Sequence, residues 1–191
     1  MITGLFFGSF NPIHVGHMIL ANYMTEFTDI DRVWFVVSPH NPLKEKSTLL
    51  SDHHRLALVQ AAIGDHPKLR ASDIEFSLPK PSYTINTLAY LNEKYPKEKF
   101  ALIMGADNLE SLHKWKNYEE ILNNYSIYVY PRPGSTGGSL VTHPNVHMTQ
   151  APVMEISSTM IRNGIREKKD MRFFMPAEAW LYCDQMNFYK K

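Results

Sequence analysis

Residues 5–21, LFFGSFNPIHVGHMILA, constrain the fold more than any other stretch of the chain. An apolar run ends at Gly8, the chain turns through Asn11-Pro12, and apolar residues resume at helical spacing. That is a buried strand feeding a helix through a short loop. His14 and His17 stand three apart across Gly16, so a first helical turn places both imidazoles on one side. At this end of a helix the free backbone N–H groups and the dipole favour an anion. Gly8 and Gly16 permit close approach by backbone or ligand. The stretch reads as a phosphate seat flanked by two proton-bearing donors. It lacks the Gly-Lys-Ser/Thr of a Walker A loop and the G-x-G-x-x-G of a dinucleotide loop. Two histidines at i, i+3 are also half of a zinc site, yet no third ligand lies nearby in sequence. Two polar loop histidines without a task are the remaining alternative.

The strand-then-helix pattern repeats along the chain. Strands are expected at Arg32–Val37, Leu69–Ile74, Phe100–Met104, Ile127–Tyr130 and Val146–Met148. Helices are expected after them: from Ser51 or Asp52, over Thr84–Tyr95, over Tyr118–Leu122, from Ile156, and over Pro176–Met186. Pro131–Ser139 is rich in Gly, Pro and Ser and reads as a mobile surface loop. Such alternation predicts an α/β, Rossmann-like, doubly wound and mostly parallel sheet with helices on both faces. Ligands bind such sheets at the carboxyl ends of the strands, beside the switch point, so loops that follow strands should converge on one face. At 191 residues and 44% hydrophobic content the chain suffices for one domain, and no linker divides it.

Composition narrows the chemistry. A net charge of +1 gives no broad footprint for nucleic acid or an anionic membrane, so anion recognition must be local. The single cysteine, Cys183, suits a reducing compartment and core packing. No apolar run approaches ~20 residues, and no export signal is seen. The expectation is a cytoplasmic protein, as a monomer or homo-oligomer, with no nucleic-acid or membrane partner. The pair His53-His54 beside Asp52 resembles a metal cluster, but at a helix start with no further ligands it reads as surface.

A second stretch, Ile156-Ser157-Ser158-Thr159-Met160-Ile161-Arg162, places hydroxyls and N–H groups at a helix start, with an arginine one turn on. A triphosphate could sit there. An ordinary Ser/Thr cap is the plainer alternative. The ten residues G-S-F-N-P-I-H-V-G-H resemble the first motif of the nucleotidyltransferase superfamily, G-x-F-[DN]-P-x-H-x-G-H. I-S-S-T-M-I-R resembles the superfamily's C-terminal I-S-S-T-x-[IV]-R motif. Pro81-Ser82-Tyr83-Thr84, Gly105-Ala106-Asp107-Asn108, Trp115 and Arg132-Pro133-Gly134 are arranged as in bacterial nicotinate-nucleotide adenylyltransferases.

The resemblance implies adenylyl transfer from ATP to nicotinate mononucleotide, giving deamido-NAD and pyrophosphate, in NAD biosynthesis. His14 and His17 would be catalytic. ATP would lie over Gly8, Ser9, Phe10, Gly16 and Ile156, Ser157, Ser158, Thr159 and Arg162. Nicotinate mononucleotide would meet Asn11, Lys44, Tyr83, Thr84, Gly105, Asp107, Trp115 and Arg132. The family's basic loop often reads P-P-H-[KR]; here it is Ser38-Pro39-His40-Asn41-Pro42-Leu43-Lys44, which leaves Lys44 and His40 as alternatives. Mg²⁺ is expected as a cofactor carried by the ATP phosphates, with no protein metal site. Competing readings are a pantetheine-phosphate adenylyltransferase, a dual-specificity enzyme that also takes nicotinamide mononucleotide, and a non-catalytic nucleotide-sensing module. Acid should be preferred over amide, because N–H donors at Tyr83–Ile85 suit a carboxylate and no acidic side chain flanks that segment; Glu75 is eight residues upstream.

Overall fold

The computed structural model describes residues 1–39 and 49–190. Its centre is a six-stranded, wholly parallel sheet: β1 (Ile2–Gly8), β2 (Arg32–Val37), β3 (Leu69–Ser72), β4 (Lys99–Gly105), β5 (Ile127–Tyr130) and β6 (Val146–Met148). The spatial order is β3-β2-β1-β4-β5-β6, so the winding direction reverses between β1 and β4. That is the expected doubly wound arrangement, with its switch point beside Gly8 and Gly105.

Side-chain alternation along each strand feeds two cores. Phe6, Val33, Phe35, Val37, Ala101, Ile103 and Tyr128 point to one face. There they meet α1 (Val15–Phe27), α2 (Asp52–Ile63), α6 (Ser158–Arg166) and α7 (Ala177–Gln185) through Met24, Leu58, Val59, Ile161, Ala179 and Cys183. Leu5, Trp34, Val36, Leu102, Met104 and Val129 point to the other face. They pack on α3 (Thr84–Lys94), α4 (Ala106–Glu110) and α5 (Tyr118–Asn124). Each fully buried Leu, Ile, Val or Phe contributes roughly 1.5–3 kcal/mol, so strands covered on both sides hold the scaffold rigid beneath the loops.

Three local expectations change. The third strand stops at Ser72, and Ile74–Ser77 form a 3₁₀ turn that leads away from the sheet edge. The Pro131–Ser139 stretch is tied down: the Glu110 carboxylate accepts from the N–H groups of Thr136 at 2.8 Å and Gly137 at 3.1 Å, and a 3₁₀ turn runs from Gly138 to Thr142. His54 is not simply surface, for its Nδ1 lies 3.0 Å from the Tyr182 hydroxyl of α7. No helix among the described residues is long and apolar enough to cross a membrane.

Candidate active site

The loop after β1 carries the first motif over the switch point. His14 is the N-cap of α1 and His17 its third helical residue. Their rings stack with centroids 3.7 Å apart and planes 24° from parallel. His17 Nδ1 accepts the backbone N–H of His14 at 3.2 Å. In neutral His17 the proton therefore sits on Nε2, away from the backbone. Burial, assisted by Arg132, lowers the His14 pKa to about 4. Burial first, then His14 and Arg132, lowers that of His17 as well. Both imidazoles are thus neutral N–H donors near pH 7, and Arg132 supplies the positive charge on this side.

These groups line a cavity of about 110 Å³ with Gly16, Tyr130, Met154, Ile156, Ser157 and Ser158. A larger cavity, about 680 Å³, is lined by Gly8, Ser9, Asn11, Ser38, Glu75, Thr84, Trp115, Thr159 and Arg162 among others. Ser158 belongs to both walls, so the cavities meet at the start of α6.

The two signature stretches lock together there. Ser158 Oγ donates to the Pro12 carbonyl at 2.8 Å, and Arg162 Nη1 donates to the Asn11 carbonyl at 2.8 Å. Ser157 Oγ accepts the Met160 N–H as a cap, and Thr159 Oγ1 accepts from Arg162 Nη2 at 3.3 Å. Of these three hydroxyls only Ser158 gives its proton to the protein; Ser157 and Thr159 accept in the bonds described and keep an O–H to donate. What α6 presents to a ligand is its positive end, led by the N–H groups of Ser158 and Thr159, together with the hydroxyl protons of Ser157 and Thr159.

Other expected residues need correction or relocation. Phe10 is only 2% exposed and adopts φ 45°, with its ring edge-on to His17 at 5.1 Å. It supports the loop from below and does not line either cavity. Gly8 is small for that same ring, since a Cβ there would sit 2.9 Å from Phe10 Cζ. Gly16 likewise makes room for His14, whose Nδ1 would lie 3.0 Å from a Cβ. Both close approaches are made by the protein's own rings. Arg132 stands with the histidines and pairs with Asp107 at 3.6 Å, away from the Thr84–Trp115 cavity. Gly105 is packed against Asp107 and Arg132, leaving no room for a side chain. Tyr83 is 40% exposed, with Lys116 Nζ 4.7 Å over its ring. Thr84, Trp115 and Asn11 do line the larger cavity. Lys44 and His40 lie outside the described residues.

Glu75 is not remote from the Tyr83–Thr84 segment. Folding brings it into the cavity wall, where its Oε1 accepts from Thr87 Oγ1 at 2.7 Å on the first turns of α3. Burial raises its pKa, while bonds from Thr87 and Ser38 oppose the rise. Arg55 was also unforeseen. Fully buried on α2, it donates to the carbonyls of Ser9 (2.6 Å), Ser38 (2.8 Å) and Leu50 (3.1 Å) and pairs with Asp52 at 2.6 Å. It fixes the loops after β1 and β2 to each other. The sequence signal was an Asp and an Arg three apart, which reads as a surface pair on a helix.

Comparison with known proteins gives the family and the fold. Residues 5–164 match the family described as cytidylyltransferase-like. A protein of Flavobacterium psychrophilum, named "Probable nicotinate-nucleotide adenylyltransferase", is 56% identical over 193 residues, covering 100% of both chains. A Bacteroides fragilis protein of the same name is 50% identical, covering 91% of this chain and 86% of its own. Among solved structures, the Plasmodium falciparum nicotinic acid mononucleotide adenylyltransferase complexed with NaAD superposes with a TM-score of 0.82. It shares 19% identity over 99% of this chain and 97% of its own, a likeness of fold. With full-length identity of this order, the chain belongs to the nicotinate-nucleotide adenylyltransferases of the cytidylyltransferase-like family.

Proposed function

We propose that this protein transfers the adenylyl group of ATP to nicotinate mononucleotide, releasing pyrophosphate and forming deamido-NAD. The observation that carries the reading is that two stacked, neutral histidines, Arg132 and the positive end of α6 converge on the β1/β4 switch point. Beside them opens a larger cavity with an aromatic wall at Trp115.

The acceptor is itself a phosphate monoester, with a second pKa of about 6. It is largely dianionic at neutral pH and needs no general base. One of its oxygens attacks the α-phosphorus of ATP, forming an O–P bond as the bond from that phosphorus to the β-phosphate oxygen breaks and pyrophosphate departs. Catalysis then rests on alignment and on stabilising charge that grows on the transferring group. His17, holding its proton on Nε2, and His14 donate to the α-phosphoryl oxygens. Being neutral, they attract the oxygens without locking the ground state as tightly as cations would. The α6 N-terminus and Arg132 meet the departing charge. Arg162, tied to Asn11, fixes α6 against the first loop as it faces the larger cavity.

Mg²⁺ accompanying ATP would neutralise phosphate charge. Among the described residues no group of three or more His, Cys, Asp or Glu side chains is placed to hold an ion. The pyridine ring is assigned to the Trp115 side of the larger cavity, with Thr84 and the start of α3 toward its carboxylate. The test is pyrophosphate release from ATP, with nicotinate mononucleotide or pantetheine phosphate as the acceptor. Release should require nicotinate mononucleotide. Release with pantetheine phosphate alone would overturn the assignment of substrate.

A further inference from the structure

The last residues of the chain return to the first motif. Tyr189, 178 positions from Asn11 in sequence, donates its hydroxyl to Asn11 Oδ1 at 2.7 Å. The Leu50 N–H donates to the same oxygen at 3.2 Å. Two donors on one carbonyl oxygen fix the plane of the Asn11 amide and which edge carries the oxygen. Asn11 lines the larger cavity beside Gly8, Ser9 and Arg162, whereas Tyr189 lies behind the loop and lines neither cavity.

The tail adopts an uncommon backbone to make this contact. Asn187 and Tyr189 both have positive φ, 54° and 63°. For a bulky residue such as tyrosine that conformation is rare and persists only where surrounding contacts impose it. Phe188 supplies the anchor, buried against His54 (4.9 Å) and Tyr182 (5.7 Å). Arg162 Nη1 donates to the backbone carbonyl of the same Asn11 at 2.8 Å, so the residue is held at both main chain and side chain. The C-terminal tail is therefore part of the same scaffold that holds the Asn11-Pro12 turn.

We infer that Tyr189 is a positioning residue for the transfer reaction, acting through Asn11 to hold the first-motif loop in its productive geometry. The inference rests on the proposed adenylyl transfer. A tail that merely staples α7 to the domain would change stability and leave turnover intact. A tail that sets the Asn11 amide changes kcat, because misplacement near the reacting groups is costly: 1 Å can cost ~10²-fold. Loss of one hydroxyl, with the backbone otherwise held, should cost on the order of 10-fold.

The experiment compares Tyr189→Phe with Tyr182→Phe, which removes from the same C-terminal unit a hydroxyl that lies 3.0 Å from His54 Nδ1. Steady-state kinetics are measured well below the melting temperatures, with and without Asn11→Ala. Expected are a kcat about 10-fold lower for Y189F with little change in either KM, and parent-like kcat for Y182F. In the Asn11→Ala background, Y189F should cost nothing further, since the two act as one unit. A Y189F enzyme with parent kcat overturns the inference, as does an undiminished loss on the Asn11→Ala background. A parent enzyme that forms no product from ATP and nicotinate mononucleotide instead contradicts the proposed reaction itself, and the inference with it.

Discussion

The Nη1 of Arg55 donates to the Ser9 carbonyl at 2.6 Å, tying α2 to the turn that carries the first motif. The same nitrogen donates to Ser38, and the Ser38 N–H donates to the Gly8 carbonyl at 2.9 Å. One buried cation therefore fixes the loops after the two central-left strands in a single register. Arg55→Ala would leave the carbonyls of Ser9, Ser38 and Leu50 without this donor. The expected loss is about 3–5 kcal/mol of unfolding free energy, read as a lower urea midpoint at unchanged slope. A midpoint that moves by less than the equivalent of about 1 kcal/mol would contradict this account of Arg55.

In the proposed reaction, His17→Ala removes a neutral donor to charge that grows in the transition state. Losing one such contact costs ~10²–10³ in rate, and kcat should fall accordingly while ATP still binds. Circular dichroism establishes that the fold is retained. A variant with kcat within a few-fold of the parent would remove His17 from the reaction.

The histidines also make stability depend on pH. Their folded pKa values lie below the unfolded value, near 4 for His14 and lowered for His17, so the unfolded chain binds more protons in mildly acid solution. Their contribution is therefore present in full above about pH 6.5. It is lost as pH falls from there toward the folded values. For His14 the loss amounts to a few kcal/mol on the order of magnitude. Melting temperature should fall more steeply between pH 7 and 5 for the parent than for a His14→Asn/His17→Asn variant. Parallel curves would show that the histidines are not desolvated as described.

Trp115→Ala should weaken the pyridine nucleotide and spare ATP. Trp115 lines the larger cavity while packing partly on the second core. A face-on contact with a positively charged ring is worth about 0.5–2 kcal/mol, which corresponds to roughly 2–30-fold in KM. Equal rises in both Michaelis constants would mark Trp115 as a core residue alone.

The extent to which the sequence disclosed all this follows interaction range. The alternation of apolar runs and helical spacing located β2, β5 and β6 at their observed bounds, since period and turn residues are local properties. The stacked histidines were legible for the same reason, as an i, i+3 pair beside a glycine. Phe10 was not, because its place in the motif says nothing about a left-handed backbone that turns the ring inward. The Ser157 cap on the Met160 N–H is a local bond and was legible as a Ser/Thr cap; the Ser158 hydroxyl looked available because its partner, the Pro12 carbonyl, lies 146 residues away in sequence. Arg55, Glu75 and Tyr189 share that property. Each acts across the fold, through partners that only the assembled sheet brings near.

The choice between acid and amide tests the central claim most directly. The leading N–H groups of α3 suit a carboxylate, and an amide would turn its own N–H₂ toward them. An unsatisfied buried polar group costs roughly 1–3 kcal/mol, about a factor of 5 to 150. Glu75, in the same wall, could accept from an amide. Its carboxyl is already engaged by the Thr87 hydroxyl and by Ser38, so it narrows the preference without reversing it. The measurement is kcat/KM for nicotinate mononucleotide against nicotinamide mononucleotide at saturating ATP. The account predicts a value at least about 5-fold higher for the acid; equal values, or a preference for the amide, would contradict it.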